Sequence, residues 1–207
     1  MAAAQEPSNL NIANALTVLR ILGVPVFGWL LLKDGGESVD YRIAAWVTFG
    51  LLMVTDKIDG DLARKHNLIT NFGKLADPIA DKALTGMAFV GISIIHPIFW
   101  PVAIIILVRE WGITLMRFVV KKHGVMPAGQ GGKIKTVLQA AAIGGYLLPF
   151  DLWNNAPSDW KDTPSDIMIW VTNVVMAAAL AITLSTAVQY VRDAKTLRRE
   201  SKAAAGQ

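Results

Sequence analysis

The chain has no cysteine, which excludes disulfides and thiolate metal sites. Histidine is nearly as scarce. His66, His96 and His123 are scattered along the sequence and form no ligand motif, so zinc is poorly served. Charge is short too. Only 17% of the 207 residues are Asp, Glu, Lys or Arg, whereas a soluble domain carries about a quarter. A chain this poor in charge has little with which to cover a water-facing surface. No internal repeat or low-complexity linker divides it, so a single membrane domain over residues 1–207 is expected. No feature points to nucleic acid.

Apolar sequence is abundant. Hydrophobic residues make up 53% of the chain, and the mean hydropathy is +0.42. Apolar stretches near the length of about 20 residues that crosses a bilayer recur along it. Six segments are expected, at 12–32, 42–63, 75–95, 98–120, 134–150 and 167–191. The fold class expected is therefore an all-α integral membrane protein, a bundle of six transmembrane helices with a cytoplasm-facing polar cavity. The first segment is long for a signal-peptide core and no A-x-A-like site follows it, so it reads as a retained helix. The fifth is the weakest, being short and carrying Gly144-Gly145. The seven Trp suit anchoring at the membrane–water interface.

Basic residues cluster in alternate loops. Arg64, Lys65 and Lys74 fall between the second and third segments, and Lys121, Lys122 and Lys133 between the fourth and fifth. Arg192, Lys195, Arg198, Arg199 and Lys202 follow the sixth. The opposite loops carry acids instead, among them Asp34, Glu37, Asp40, Asp151 and Asp159. Under the positive-inside rule the basic loops are cytoplasmic. That places residues 1–11 inside as an N-terminal segment and 192–207 inside as a basic tail, in a membrane read as the bacterial cytoplasmic one.

Four carboxylates break the apolar pattern. Asp56 and Asp59 are three apart near the end of the second segment; Asp77 and Asp81 are four apart at the start of the third. Each pair lies along one helix face. A charge at mid-membrane costs about 2.5–3.5 kcal/mol on insertion scales, so such a cluster needs a partner. Two facing pairs would make an oxygen-rich pocket suited to Mg2+ or Mn2+. Gly60 and Ala63 lie near the same face and leave room for a ligand, while Asp61 points elsewhere and reads as solvated. The plainer alternative is interfacial pairing with Lys57, Arg64, Lys74 and Lys82.

The residues Asp56-x2-Asp59-Gly60-x2-Ala63-Arg64-x8-Gly73-x3-Asp77-x3-Asp81 form eight fixed positions at fixed spacings. This pattern is similar to the signature of the CDP-alcohol phosphotransferases, and no signature position departs from it. The resemblance implies metal ligation by Asp56, Asp59 and Asp77, with two ions, and a dual role for Asp81 as ligand and general base. It implies that Gly60, Ala63 and Arg64 hold the diphosphate of a CDP-lipid such as CDP-diacylglycerol, with Gly73 keeping the approach open. It also implies a homodimer among membrane lipids.

A second polar set lies outside the signature. Arg109 and Arg117 belong to the fourth segment, Lys133 lies just before the fifth, and Lys135 lies at its start. An ideal helix separates the two arginines by about 80° of rotation, so both can serve one pocket. Intramembrane arginines suit an anionic ligand such as a phosphate monoester. Lys133 and Lys135 are two apart and diverge on a regular helix, so a joint role needs a loop or a distorted helix start. The plainer reading pairs Arg109 with Glu110. Gly129-Gln130-Gly131-Gly132-Lys133 fails as a nucleotide P-loop, because Pro127 replaces its first glycine and Ile134 follows the lysine.

With the block from Asn11 to Arg20 and that from Gly132 to Gln139, Arg109-Glu110 and Arg117 resemble the phosphatidylglycerophosphate synthases within the family. Ala13 stands where those sequences commonly have proline. This implies sn-glycerol 3-phosphate as acceptor, its phosphate held by Arg109, Arg117, Lys133 and Lys135, and places Asn14 and Thr17 near the nucleotide. Inositol phosphate, or phosphatidylglycerol in cardiolipin synthesis, fits the same chemistry. A divalent-cation transporter is the reading from another class, although its transit site would need access from both sides.

Overall fold

The computed structural model describes residues 11–66, 68, 70–120, 131–153 and 164–205, with the backbone alone at 71, 74, 75, 117–120, 131–133 and 197–205. The described residues are mostly helical: α1 (Ile12–Leu32), α2 (Val39–Lys65), α3 (Asn71–Ile95), α4 (Trp100–Val120), α5 (Gly131–Leu147), α6 (Phe150–Trp153) and α7 (Pro164–Ala205). Among the described residues four stretches are long and apolar enough to cross a membrane, at Ile12–Gly36, Ala76–Ile95, Pro97–Met116 and Pro164–Thr196. Large apolar side chains such as Leu22, Trp29, Val108, Leu115 and Val174 are exposed on them. This is the architecture of an all-helical integral membrane protein. The 42–63 segment is helical but interrupted by charge, and α5 has 17 residues, fewer than the span of about 20.

Most boundaries shift by a few residues, and two of the shifts move basic residues into a helix. Helix α7 runs on past 191 to Ala205, because hydrophobicity fades there while the helix formers Ala, Lys, Arg and Glu continue without a Gly or Pro. Helix α5 begins at Gly131, so Lys133 lies within its first turn rather than ahead of it.

The helices form two compact units, Met1–Pro97 with Leu147–Trp153, and Ile98–Tyr146 with Asn154–Gln207. In the first, α1 packs against α2 and α3. Its buried residues Ala13, Asn14, Thr17, Arg20, Val24, Phe27, Gly28 and Leu31 follow the three-and-four spacing of one helix face. The upper half of that stripe is polar and the lower half apolar. Phe27 meets the Phe49 ring with centroids 5.7 Å apart. Bare backbone sets the close approaches: a Cβ at Gly28 would lie 2.8 Å from the Met87 sulfur, and one at Gly23 2.6 Å from Leu52.

The apolar end of this unit is closed by Arg42, buried among main-chain carbonyls. It donates to the oxygens of Gly36 at 3.2 Å, Leu147 at 3.1 Å and Leu148 at 3.3 Å, and to Asp151 at 3.4 Å. His96 sits 3.6 Å from the same carboxylate. Burial lowers its pKa more than Asp151 raises it, and Arg42 lowers it further.

In the second unit α4 packs against α7. Buried Thr172, Met176, Ala179, Thr183, Thr186, Tyr190 and Ala194 line one face of α7, and small residues there let helices approach closely. A side chain at Gly145 would collide with Thr172, which is why the α5 glycine pair is tolerated.

Gly35 and Gly36 both adopt positive φ, but a Cβ is unobstructed at Gly35 and would lie 2.6 Å from Ile95 at Gly36. Gly35→Ala should pay the backbone penalty of about 1–3 kcal/mol. Gly36→Ala should lose a further 1 kcal/mol or so through overpacking. Thermal unfolding of the two variants in detergent measures the difference; equal losses would mean that Ile95 moves aside freely.

Candidate active site

The polar half of the α1 stripe reaches a cavity of ≈ 160 Å³ lined by Ala13, Asn14, Thr17, Asp59, Gly60, Ala63, Arg64, Leu68, Thr70, Gly73 and Asp77. Three helices supply it, and each end is capped toward it. Asn11 caps α1 by accepting from the Asn14 N–H at 2.9 Å, and its side-chain amide donates to the Leu68 carbonyl at 3.3 Å. Thr70 caps α3 by accepting from the Gly73 N–H at 3.0 Å. The Thr70 hydroxyl also accepts from Asn14 Nδ2 at 2.9 Å and approaches Asn14 Oδ1 at 3.1 Å. A Cβ at Gly73 would lie 2.9 Å from Asn14 Oδ1. Glycine is therefore needed here for the approach of α1 to α3.

Below this layer the carboxylates begin. Thr17 Oγ1 lies 2.7 Å from Asp77 Oδ1 and 3.4 Å from Asp59 Oδ2, joining α2 and α3 through one hydroxyl. Another turn along α1, Arg20 is completely buried. Its Nη1 lies 2.6 Å from Asp56 Oδ1, and its Nη2 pairs with Asp59 Oδ2. Sequence reading offered Lys57, Arg64, Lys74 and Lys82 as partners for these acids; the cation bonded to Asp56 and Asp59 is Arg20. The only advance signal was its polar register with Asn14 and Thr17 in an otherwise apolar helix.

Arg64 lines the cavity at the end of α2. A Cβ on Gly60 would be 3.4 Å from both its terminal nitrogens, so the guanidinium lies over the bare helix turn. Its Nη2 bonds Asp61 at 2.7 Å, with both side chains about two-thirds exposed. Asp61, read as a solvated bystander, is the residue that holds Arg64. Asp56 and Asp81 are not among the lining residues. Asp81 is half-buried one turn beyond Asp77, and its carbonyl accepts from Thr85 at 2.9 Å.

The second polar set lies in the other unit. Arg109 donates to Glu110 at 3.0 Å and to Thr186 of α7 at 2.7 Å, and faces the Tyr190 ring at 5.8 Å. Lys135 pairs with the same Glu110 oxygen, and Gln139 donates to Thr183 at 3.2 Å. The Arg109 Nε is buried without a hydrogen-bond partner among the described residues. Two cations against one carboxylate leave this cluster with one positive charge. The side chains of Arg117 and Lys133 lie outside the described residues.

Comparison with known proteins decides what these features belong to. The family model for CDP-alcohol phosphatidyltransferases matches residues 10–185. The chain belongs to that family. It is 43% identical over 188 residues to a "Probable phosphatidylglycerophosphate synthase" of Mycobacterium tuberculosis, covering 91% of this chain and 82% of that one. A Bacillus subtilis "CDP-diacylglycerol--glycerol-3-phosphate 3-phosphatidyltransferase" is 35% identical over 172 residues, covering 78% of this chain and 86% of its own. A "Cardiolipin synthase (CMP-forming)" of Streptomyces coelicolor is 34% identical over 122 residues, with 57% and 55% covered.

The family depends in general on divalent metal ions. Among the described residues no three His, Asp or Glu side chains are gathered as a ready metal cage. The donor set fits nonetheless: Asp56 and Asp59 on α2 and Asp77 on α3 offer hard carboxylate oxygens, linked through Arg20 and Thr17.

Thr17→Val keeps the shape of the side chain and removes its hydroxyl. Leaving the buried carboxylates without that donor should cost about 1–3 kcal/mol. Thr17→Ser should recover most of it. Thermal unfolding checks both; equal stability of the valine and serine variants would show that the hydroxyl contributes nothing.

Proposed function

We propose that the protein transfers the phosphatidyl group of CDP-diacylglycerol to sn-glycerol 3-phosphate, releasing CMP and forming phosphatidylglycerophosphate. The observation that carries this reading is the carboxylate signature arranged beneath a cavity that Arg64 overhangs. The relatives' names support the choice of donor and acceptor. The proposed setting is a bundle of six transmembrane helices forming one domain in the bacterial cytoplasmic membrane. Its termini and site face the cytoplasm, and it assembles as a homodimer. The distribution of basic residues supports the orientation, and family resemblance alone supports the dimer.

In this reading Asp56, Asp59, Asp77 and Asp81 hold two Mg2+ or Mn2+ ions. When bound, such ions neutralise charge developing on the transferring and leaving oxygens. Arg64 grips diphosphate oxygens, which a planar guanidinium can meet with two hydrogen bonds. Gly60, Ala63 and Gly73 leave room for the nucleotide, and Asn14 and Thr17 border it. Asp81 accepts the proton of the acceptor's primary hydroxyl. That oxygen forms a bond to the lipid-linked phosphorus, the bond to the bridging oxygen breaks, and CMP departs. Arg109, Arg117, Lys133 and Lys135 hold the phosphate of glycerol 3-phosphate. Glu110 holds Arg109 and Lys135 together, as two like charges need.

The partial match to a cardiolipin synthase makes phosphatidylglycerol the acceptor to compare. Purified protein given CDP-diacylglycerol and one acceptor at a time should release CMP only with glycerol 3-phosphate and divalent metal. Release with phosphatidylglycerol or inositol phosphate instead would replace the acceptor, and no release from folded protein would reject the transferase reading. Asp81→Asn should lower kcat by about 10²–10⁴-fold, the range for a lost general base. Normal turnover would remove that role. Lys135→Met should raise the KM for glycerol 3-phosphate by about tenfold with a smaller change in kcat, the pattern of lost uniform binding. An unchanged KM would place Lys135 outside the acceptor site.

A further inference from the structure

Arg20 stands apart from the residues that face the cavity. It lies on the Asn14–Thr17 face of α1, one turn deeper, with none of its side chain exposed. It does not line the cavity, and its side chain is wholly buried. What it touches are two of the signature carboxylates, Asp56 at 2.6 Å and Asp59. Its Nε and Nη1 make no hydrogen bond among the described residues, and Nη1 meets Asp56 as an ion pair.

We propose that Arg20 is a built-in counter-cation that shares Asp56 and Asp59 with the divalent metal and so sets how tightly the metal is held. The inference rests on the proposed metal-dependent transferase reading and goes beyond it. Its basis is electrostatic. Arginine stays protonated in any protein environment, so its charge is a fixed opponent of a second cation on the same oxygens. Asp59 is the shared point: Thr17 meets it from the cavity side and Arg20 from the buried side. Asp56, with its side chain 42% exposed, is held by Arg20 from below and open above. Each carboxylate therefore divides its oxygens between a permanent internal charge and whatever occupies the site. Such an arrangement keeps the aspartates from repelling one another, and it weakens the grip on metal. Arg20 is a positioning residue in this role and takes no part in bond making.

The test measures metal binding directly, without turnover. Mn2+ is titrated into the detergent-purified full chain and its Arg20→Gln and Arg20→Lys variants, and free Mn2+ is read by electron paramagnetic resonance. Thermal unfolding is followed in parallel, with EDTA and with saturating Mn2+. Removing a unit charge beside the ligands should tighten Mn2+ binding by at least about tenfold in Arg20→Gln. The lysine, whose single ammonium cannot span both carboxylates, should tighten it by a few-fold. Both variants should lose more thermal stability in EDTA than in Mn2+, because the metal then supplies the missing charge. A purely structural arginine would lower the melting temperature equally in both conditions. Unchanged or weaker Mn2+ binding overturns the proposal, and the lysine variant alone decides it if the glutamine variant does not fold. No Mn2+ binding by the unaltered protein overturns this inference and the metal-dependent reading together.

Discussion

An arginine buried between two aspartates is the constraint around which the first unit is built. Placing charge among apolar helices is costly unless each charge is matched. The Arg20 ion pairs meet that condition by locking α1 to α2, and the Thr17 hydroxyl extends the lock to Asp77 on α3. The Asn14–Thr70 pair adds a third tie at the mouth of the cavity. Three rungs at successive turns of one helix thus hold Asp59, Asp77 and Thr70. Below them the stripe becomes apolar, and Phe27, Gly28 and Leu31 pack by shape alone.

The second unit solves the same problem with different parts. Glu110 brings Arg109 and Lys135 together, and Thr186 takes up a further arginine donor. Here two cations share one carboxylate, whereas in the first unit two carboxylates share Arg20. In the proposed reaction the acid-rich cluster would suit metal ions and the basic one a phosphate ester.

Much of this was legible in the sequence because it depends on local period. Helix α1 lies at the expected residues, and α3, α4 and α5 lie near theirs. Of the four aspartates picked out by their spacing, Asp59 and Asp77 line the cavity, while Asp56 and Asp81 do not. What escaped were pairings between distant residues. Nothing local marks Arg20 as the partner of Asp59, 39 positions away, or Thr70 as the partner of Asn14, 56 positions away. Asp61 is solvent-exposed as read, and what was not foreseen is its exposed pair with Arg64, three residues on. The apolar segment at 167–191 lies within α7 but did not reveal how far the helix continues, for another reason. Hydropathy reports the surrounding solvent, while helix continuity depends on backbone propensity, and the two part company near residue 191.

That last difference gives α7 a reach no other helix here has. Its 42 residues rise about 63 Å at 1.5 Å each, roughly twice the 30 Å thickness of a bilayer's hydrocarbon core. One unbroken rod therefore passes from oil into water. Arg192 and Lys195 lie on it a little beyond the last buried tyrosine, Tyr190. At that height anionic lipid headgroups attract basic side chains with about 1 kcal/mol per residue. Basic residues beyond the apolar stretch and the buried face that bears Thr186 thus belong to one continuous helix.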